Sequence, residues 1–143
     1  MPIPIWMLLG FTAWTVLLLL STIGVYRWNR ILTGQTPIKE FRADQVEGAD
    51  WYRRSMRAHA NCIENLPVFG SVVFALYVSQ LSGATISYLC ITVLVARVMQ
   101  SLVHVCLEQT NTVAAMCFIF FFVQIVCFVT LIAMVVRHAV FVA

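Results

Sequence analysis

The sequence predicts an all-α integral membrane protein, a bundle of four transmembrane helices forming one domain over residues 1–143. Three observations carry that prediction. Hydrophobic residues make up 62% of the chain and charged residues only 10%, where a soluble domain carries about 25% charged residues. The mean hydropathy is +0.91. Four apolar segments, about 5–25, 57–79, 84–106 and 113–136, each reach the roughly 20 residues that a helix needs to cross a bilayer. Lipid is therefore the solvent for most of the chain, and an active site has to lie in the bundle or at its rim.

Segment one is rich in leucine and ends in Tyr26-Arg27-Trp28-Asn29-Arg30. Aromatic rings beside arginines mark a membrane–water interface. Met1-Pro2-Ile3-Pro4 has no basic n-region and no small-residue cleavage site follows, so the segment reads as a retained span and not a signal peptide. Thr33-Gly34-Gln35-Thr36-Pro37 reads as a turn. The polar stretch beyond it reaches about Ser55, and Trp51-Tyr52-Arg53-Arg54 returns the chain to the interface.

Segment two contains Pro67, which leaves the carbonyl of Ile63 without its helical partner and predicts a kink beside Glu64. Ser82-Gly83 is too short a connection for anything but an antiparallel hairpin with segment three. Segment four carries Phe118, Phe120, Phe121, Phe122 and Phe128, read as lipid-facing and packing residues.

The net charge is +3, and its placement is more informative than its size. Arg27, Arg30, Lys39, Arg42, Arg53 and Arg54 all fall between segments one and two. The positive-inside bias puts that loop in the cytoplasm and both termini on the opposite side. Glu40, Asp44, Glu47 and Asp50 are interleaved with the basic residues, which speaks against a nucleic-acid surface. The five cysteines form no CxxC pair and read as small hydrophobes.

Polar side chains inside segments two and three are the candidate functional residues. Arg57, Asn61 and Glu64 follow i, i+4, i+7 and share one helical stripe, with His59 just beside it. On segment three Arg97, Gln100, Ser101, His104 and Glu108 share another face. Arg97 lies about 10–20 Å along its helix from the polar end at Thr110, and Glu64 lies at a similar depth from the same side. Ionisable residues inside a membrane are functional candidates by default. Two arginines against one carboxylate leave a positive surplus, which suits an anionic ligand that also carries a cationic group. A zwitterionic peptide with extra carboxylates fits, since guanidinium forks bind carboxylates bidentately. No HExxH and no histidine pair at i, i+4 is present, so no metal site is expected. No glycine-rich phosphate loop occurs, and a Ser/His/acid triad would have only Glu108 beside His104.

Arg57-Ala58-x-x-Asn61-Cys62-x-Glu64-x-x-Pro67 resembles the segment-two signature of the MAPEG proteins, the membrane-associated proteins of eicosanoid and glutathione metabolism. Length, four spans, the polar first loop and Ala96-Arg97-Val98 extend the resemblance, which is closest in kind to a microsomal glutathione transferase. It implies a homotrimer that holds glutathione between neighbouring subunits near the cytosolic face. Carried over, Arg57 and Asn61 would bind the peptide's polar groups and Glu64 its amino group. Arg97 would meet a carboxylate, with Gln100, His104 and His59 nearby and Arg27 or Arg30 reaching in from segment one. The implied chemistry is thiolate attack on a lipophilic electrophile, or reduction of a lipid peroxide, with membrane lipid delivering the apolar substrate.

The chain departs from the family pattern in three places. Gln100 and His104 stand where eicosanoid synthases place tyrosines, and Asn65 follows the glutamate in place of tyrosine. No arginine stands near the start of segment four, where one is credited with stabilising the thiolate. Thr110, Asn111 and Thr112 are the candidate donors to sulfur there. Eicosanoid synthesis is not implied. The missing arginine favours an alternative, a non-catalytic member that binds lipid or glutathione. Proton-coupled transport through Glu64 and His104 ranks last, because segment four offers only Gln124 and Thr130 at depth.

Overall fold

The computed structural model describes residues 1–42 and 46–142. Asp44, one of the acidic residues interleaved in the first loop, lies outside the described residues. Four helices are long and apolar enough to cross a membrane: α1 (Ile3–Leu32), α2 (Asp50–Val78), α3 (Ala84–Cys106) and α4 (Asn111–Val142). No strand occurs among the described residues. At about 1.5 Å per residue, the 30 residues of α1 reach about 45 Å and the 23 of α3 about 35 Å. Hydrocarbon is only about 30 Å thick. α1 and α2 therefore outrun the apolar segments and stay helical through the interfacial residues Tyr26, Arg27, Trp28 and Trp51.

α1 is not a uniform helix, because Leu19–Gly24 winds as a π-helix. Its buried residues are Phe11, Thr15, Leu18, Ile23 and Tyr26. The spacing is four, three, then five from Leu18 to Ile23, then three. An α-helix would carry a five-residue step to another face. The wider π turn, closed by i→i+5 bonds, keeps one continuous buried stripe.

α2 remains helical through Pro67, and the Ser71 hydroxyl donates to the Pro67 carbonyl (2.8 Å). It stops at a Schellman motif: Leu81 N–H bonds to the Leu76 carbonyl (3.1 Å) and Gln80 N–H to that of Tyr77 (3.2 Å). The motif needs a left-handed residue, and Gln80 supplies it with φ 53°. At the start of α4 the Thr110 hydroxyl accepts from the Val113 N–H (3.2 Å), a side-chain N-cap.

The core between the helices is apolar and aromatic. Phe11 of α1 meets Phe69 of α2 at 5.7 Å between ring centres, and Phe69 meets Phe128 of α4 at 6.0 Å. All five cysteines are free thiols; Cys106 is exposed and the other four are buried. Two buried hydrogen bonds tie α3 to α4. Gln124 Nε2 donates to Gln100 Oε1 (3.1 Å), and Gln100 Nε2 donates to the Cys117 carbonyl (3.0 Å).

A second cluster closes the first-loop end. Tyr26 stacks on Tyr52 at 4.1 Å and meets the Trp51 ring edge-on at 5.5 Å. The Tyr26 hydroxyl accepts from the Ala49 N–H (3.2 Å) and from Arg30 (3.1 Å). Gly48 passes directly beneath, with φ 138°, and a Cβ there would stand 2.5 Å from the Tyr26 hydroxyl. Gly48→Ala should therefore break the Tyr26 hydroxyl contacts and destabilise the cluster by about 1–3 kcal/mol. Thermal unfolding followed by Trp51 emission checks it; an unchanged midpoint would mean that the cluster is not held at Gly48.

Candidate functional site

The buried face of α2 runs through Tyr52, Ser55, Ala58, Cys62, Asn65 and Phe69. Arg57, Asn61 and Glu64 stand one position round from it. Arg57 and Glu64 are exposed and Asn61 is half-buried, so the stripe faces outward from the bundle. Arg57 donates to the Gln109 side chain in the loop between α3 and α4. Among the described residues, no hydrogen bond or ion pair holds the side chains of Asn61 or Glu64. Two cavities lie away from Arg57, Asn61 and Glu64: one of about 360 Å³ between the starts of α1 and α3 and the end of α2, and one of about 590 Å³ under the first loop. A third, of about 380 Å³ between α2 and α4, is lined by Val68, Ser71 and Ala75, beyond Glu64 on α2.

α3 places its polar residues in three different settings. Arg97 is fully buried, 0% exposed, and all three guanidinium nitrogens lack a hydrogen-bond partner among the described residues. Its guanidinium carbon stands 5.7 Å from the centre of the Phe11 ring. Gln100 points at α4 and is occupied by Cys117 and Gln124. Ser101 donates to the Arg97 carbonyl (2.9 Å) and stands 3.5 Å from the Cys62 sulfur. His104 is half-buried.

The Cys62–Ser101 contact fixes the register of α2 against α3. Glu64 stands two positions beyond Cys62, and Arg97 four positions before Ser101. In antiparallel helices the two therefore differ by two positions, about 3 Å of axial height. Arg97 and Glu64 share a depth, but the carboxylate is exposed on the outside of the bundle while the guanidinium is buried against Phe11.

The model of the MAPEG family matches residues 4–137, nearly the whole chain. The chain belongs to the MAPEG family. No curated protein and no solved structure matches it. MAPEG membership makes it a membrane protein of the glutathione and eicosanoid metabolism kind.

The remaining MAPEG-derived candidates fall into two groups. Arg27 and Arg30 are engaged at the first-loop end: Arg27 Nε donates to the Tyr52 hydroxyl (2.9 Å), and Arg30 Nε to the Thr36 hydroxyl (3.1 Å). Neither is spare in this chain alone. Thr110, Asn111 and Thr112 are exposed at the first turn of α4. The Arg57–Gln109 bond puts the end of the α2 stripe beside that turn. His59 is half-buried and its Nδ1 has no partner among the described residues. Among the described residues no group of three His, Cys, Asp or Glu side chains is arranged to hold a metal ion.

Three contacts escape a reading of spacing alone. Gln109 reaches Arg57, Phe11 stacks on Arg97, and Gln124 pairs with Gln100. Only Gln124 carries a signal in the sequence, as an amide deep in an apolar span.

Proposed function

We propose that this protein is a membrane glutathione transferase or peroxidase that binds glutathione between subunits of a homotrimer, near the cytosolic face. The carrying observation is Glu64, a carboxylate at membrane depth on the outside of its own bundle, with no hydrogen bond or ion pair among the described residues. Placing an acidic side chain in the bilayer centre costs about 2.5–3.5 kcal/mol. A polar ligand and a neighbouring subunit relieve that cost together. The stripe continues along α2 as Val68, Ser71 and Ala75, so the outward positions 57, 61, 64, 68, 71 and 75 alternate four and three. That heptad-like spacing suits a seam between helices of adjacent chains. Glutathione has the required charges: its ammonium group for Glu64, its carboxylates for Arg57 and Arg97, and an amide backbone for Asn61.

In the transferase reaction the glutathione thiolate forms a bond to the electrophilic carbon and a leaving group such as chloride departs. In the peroxidase reaction two glutathione thiols are oxidised to the disulfide, and the O–O bond of the lipid hydroperoxide breaks to give an alcohol and water. Both need the thiolate. The donors near it in this reading are the Asn111 amide, the Thr112 hydroxyl and the first N–H groups of α4, where the helix dipole favours an anion. Neutral donors activate sulfur less than a guanidinium would. Asn111→Ala with Thr112→Val should raise the pKa of the bound thiol, read as thiolate absorbance against pH; an unmoved titration would put the activating group elsewhere.

The direct test is glutathione binding by calorimetry, followed by turnover with a chloro-nitro-aromatic electrophile. Binding and turnover are expected. Binding without turnover would support the second reading, a glutathione-binding member that is not an enzyme, which the missing arginine at the start of α4 favours. No binding would remove the proposal.

A further inference from the structure

The Arg97 guanidinium is the strangest group in the bundle. It is fully buried, its three side-chain nitrogens have no hydrogen-bond partner among the described residues, and its carbon lies 5.7 Å from the Phe11 ring centre. Glu64, the acceptor it lacks, stands about 3 Å away in axial height and faces the other way. A buried charge ordinarily takes an available partner, because breaking such a pair is strongly destabilising. Here the aromatic face takes that role. Phe11 is 0% exposed and its ring packs against that of Phe69 at 5.7 Å, which keeps it beside the guanidinium. A desolvated cation over an aromatic face is a real attraction, but it satisfies none of the five N–H donors.

We propose that Phe11 is a positioning residue: its ring keeps Arg97 inside the bundle, leaving Glu64 unpaired for the ammonium group of an incoming ligand. The inference rests on reading the α2 stripe as a glutathione site. In the empty protein Arg97 and the ligand's ammonium group compete for one carboxylate. The stack on Phe11 removes Arg97 from that competition. When glutathione arrives, its carboxylate gives the guanidinium the acceptor it lacked, so both charges of the ligand are matched at once. Without the ring, Arg97 turns to Glu64 and closes the site against the ligand.

Phe11→Leu keeps the position apolar and of similar bulk while removing the π face. Two arms test it on the full-length protein in lipid nanodiscs. In the first, with no ligand, Glu64→Gln should not lower the melting midpoint of the otherwise wild-type protein, but should lower it by about 3 °C in the Phe11→Leu background, where an Arg97–Glu64 pair has formed. Equal shifts in both backgrounds would overturn the proposal. In the second, glutathione affinity should fall about tenfold, about 1.4 kcal/mol, with Phe11→Leu, and by no further amount when Phe11→Leu is added to Arg97→Gln. A loss from Phe11→Leu that persists in the Arg97→Gln background would show Phe11 acting through packing alone and would also overturn it. If the wild-type protein binds no glutathione, the glutathione reading fails by itself, and the first arm still decides whether Phe11 withholds Arg97 from Glu64.

Discussion

Glu64→Gln should weaken glutathione binding by a factor of about 30–150, or about 2–3 kcal/mol, without lowering the stability of the ligand-free protein. The two halves of that expectation come from one observation. Glu64 has no hydrogen bond or ion pair among the described residues, so the free protein loses nothing when the charge goes. The bound ammonium group would lose its only carboxylate, in a setting of low dielectric where the loss is large. Arg57→Ala should act in the same direction and more weakly, because Arg57 lies at the exposed end of the stripe and already donates to Gln109. Titration calorimetry and a melting curve on the same sample check both halves. Unchanged affinity would remove the stripe from the site. A large drop in melting temperature would mean that Glu64 has a partner in the assembled protein before ligand arrives.

Arg97→Met is expected to change stability and binding in opposite directions. Replacing a buried ionic group by a well-packed apolar one is often stabilising by about 1–4 kcal/mol. Arg97 is an extreme case, with no hydrogen-bond acceptor among the described residues and the Phe11 ring beside its guanidinium. Methionine fills much of the same volume and makes good contacts with an aromatic ring. The melting midpoint should therefore rise, while glutathione affinity falls about tenfold or more as a carboxylate contact disappears. A destabilised variant would show that Arg97 is satisfied in the free protein. Such a trade of stability against function is ordinary at sites held ready for a ligand.

The fold was legible because lipid imposes a simple code. Four apolar runs gave four helices, and Ser82-Gly83 gave the hairpin. Helix ends were less legible, because Tyr26, Arg27 and Trp51 mark the interface without saying whether the backbone there stays helical. At the site, spacing correctly put Arg57, Asn61 and Glu64 on one stripe, and counting turns put Glu64 and Arg97 at one depth. Spacing says nothing about the azimuth of a helix in its bundle. Periodicity alone therefore did not show that Arg97 points inward at Phe11 while Glu64 points outward. Gln100 illustrates the same gap, since it shares a face with His104 on paper but spends its hydrogen bonds on α4.

The π turn in α1 has a further consequence. Leu19–Gly24 carries one residue more than an α-helix needs to reach from Leu18 to the buried Ile23. Removing one residue from it would let the segment rewind as α-helix while everything beyond kept its face. Tyr26 would stay on Tyr52, and Arg27 would stay at the first-loop cluster. The α-helical turns on either side have no such slack, and a residue lost there swings one part of α1 by about 100° against the other. Indel tolerance in this span should therefore change abruptly at one point: a residue lost within the π turn is absorbed, and one lost from the turns beside it moves the arginines off their partners.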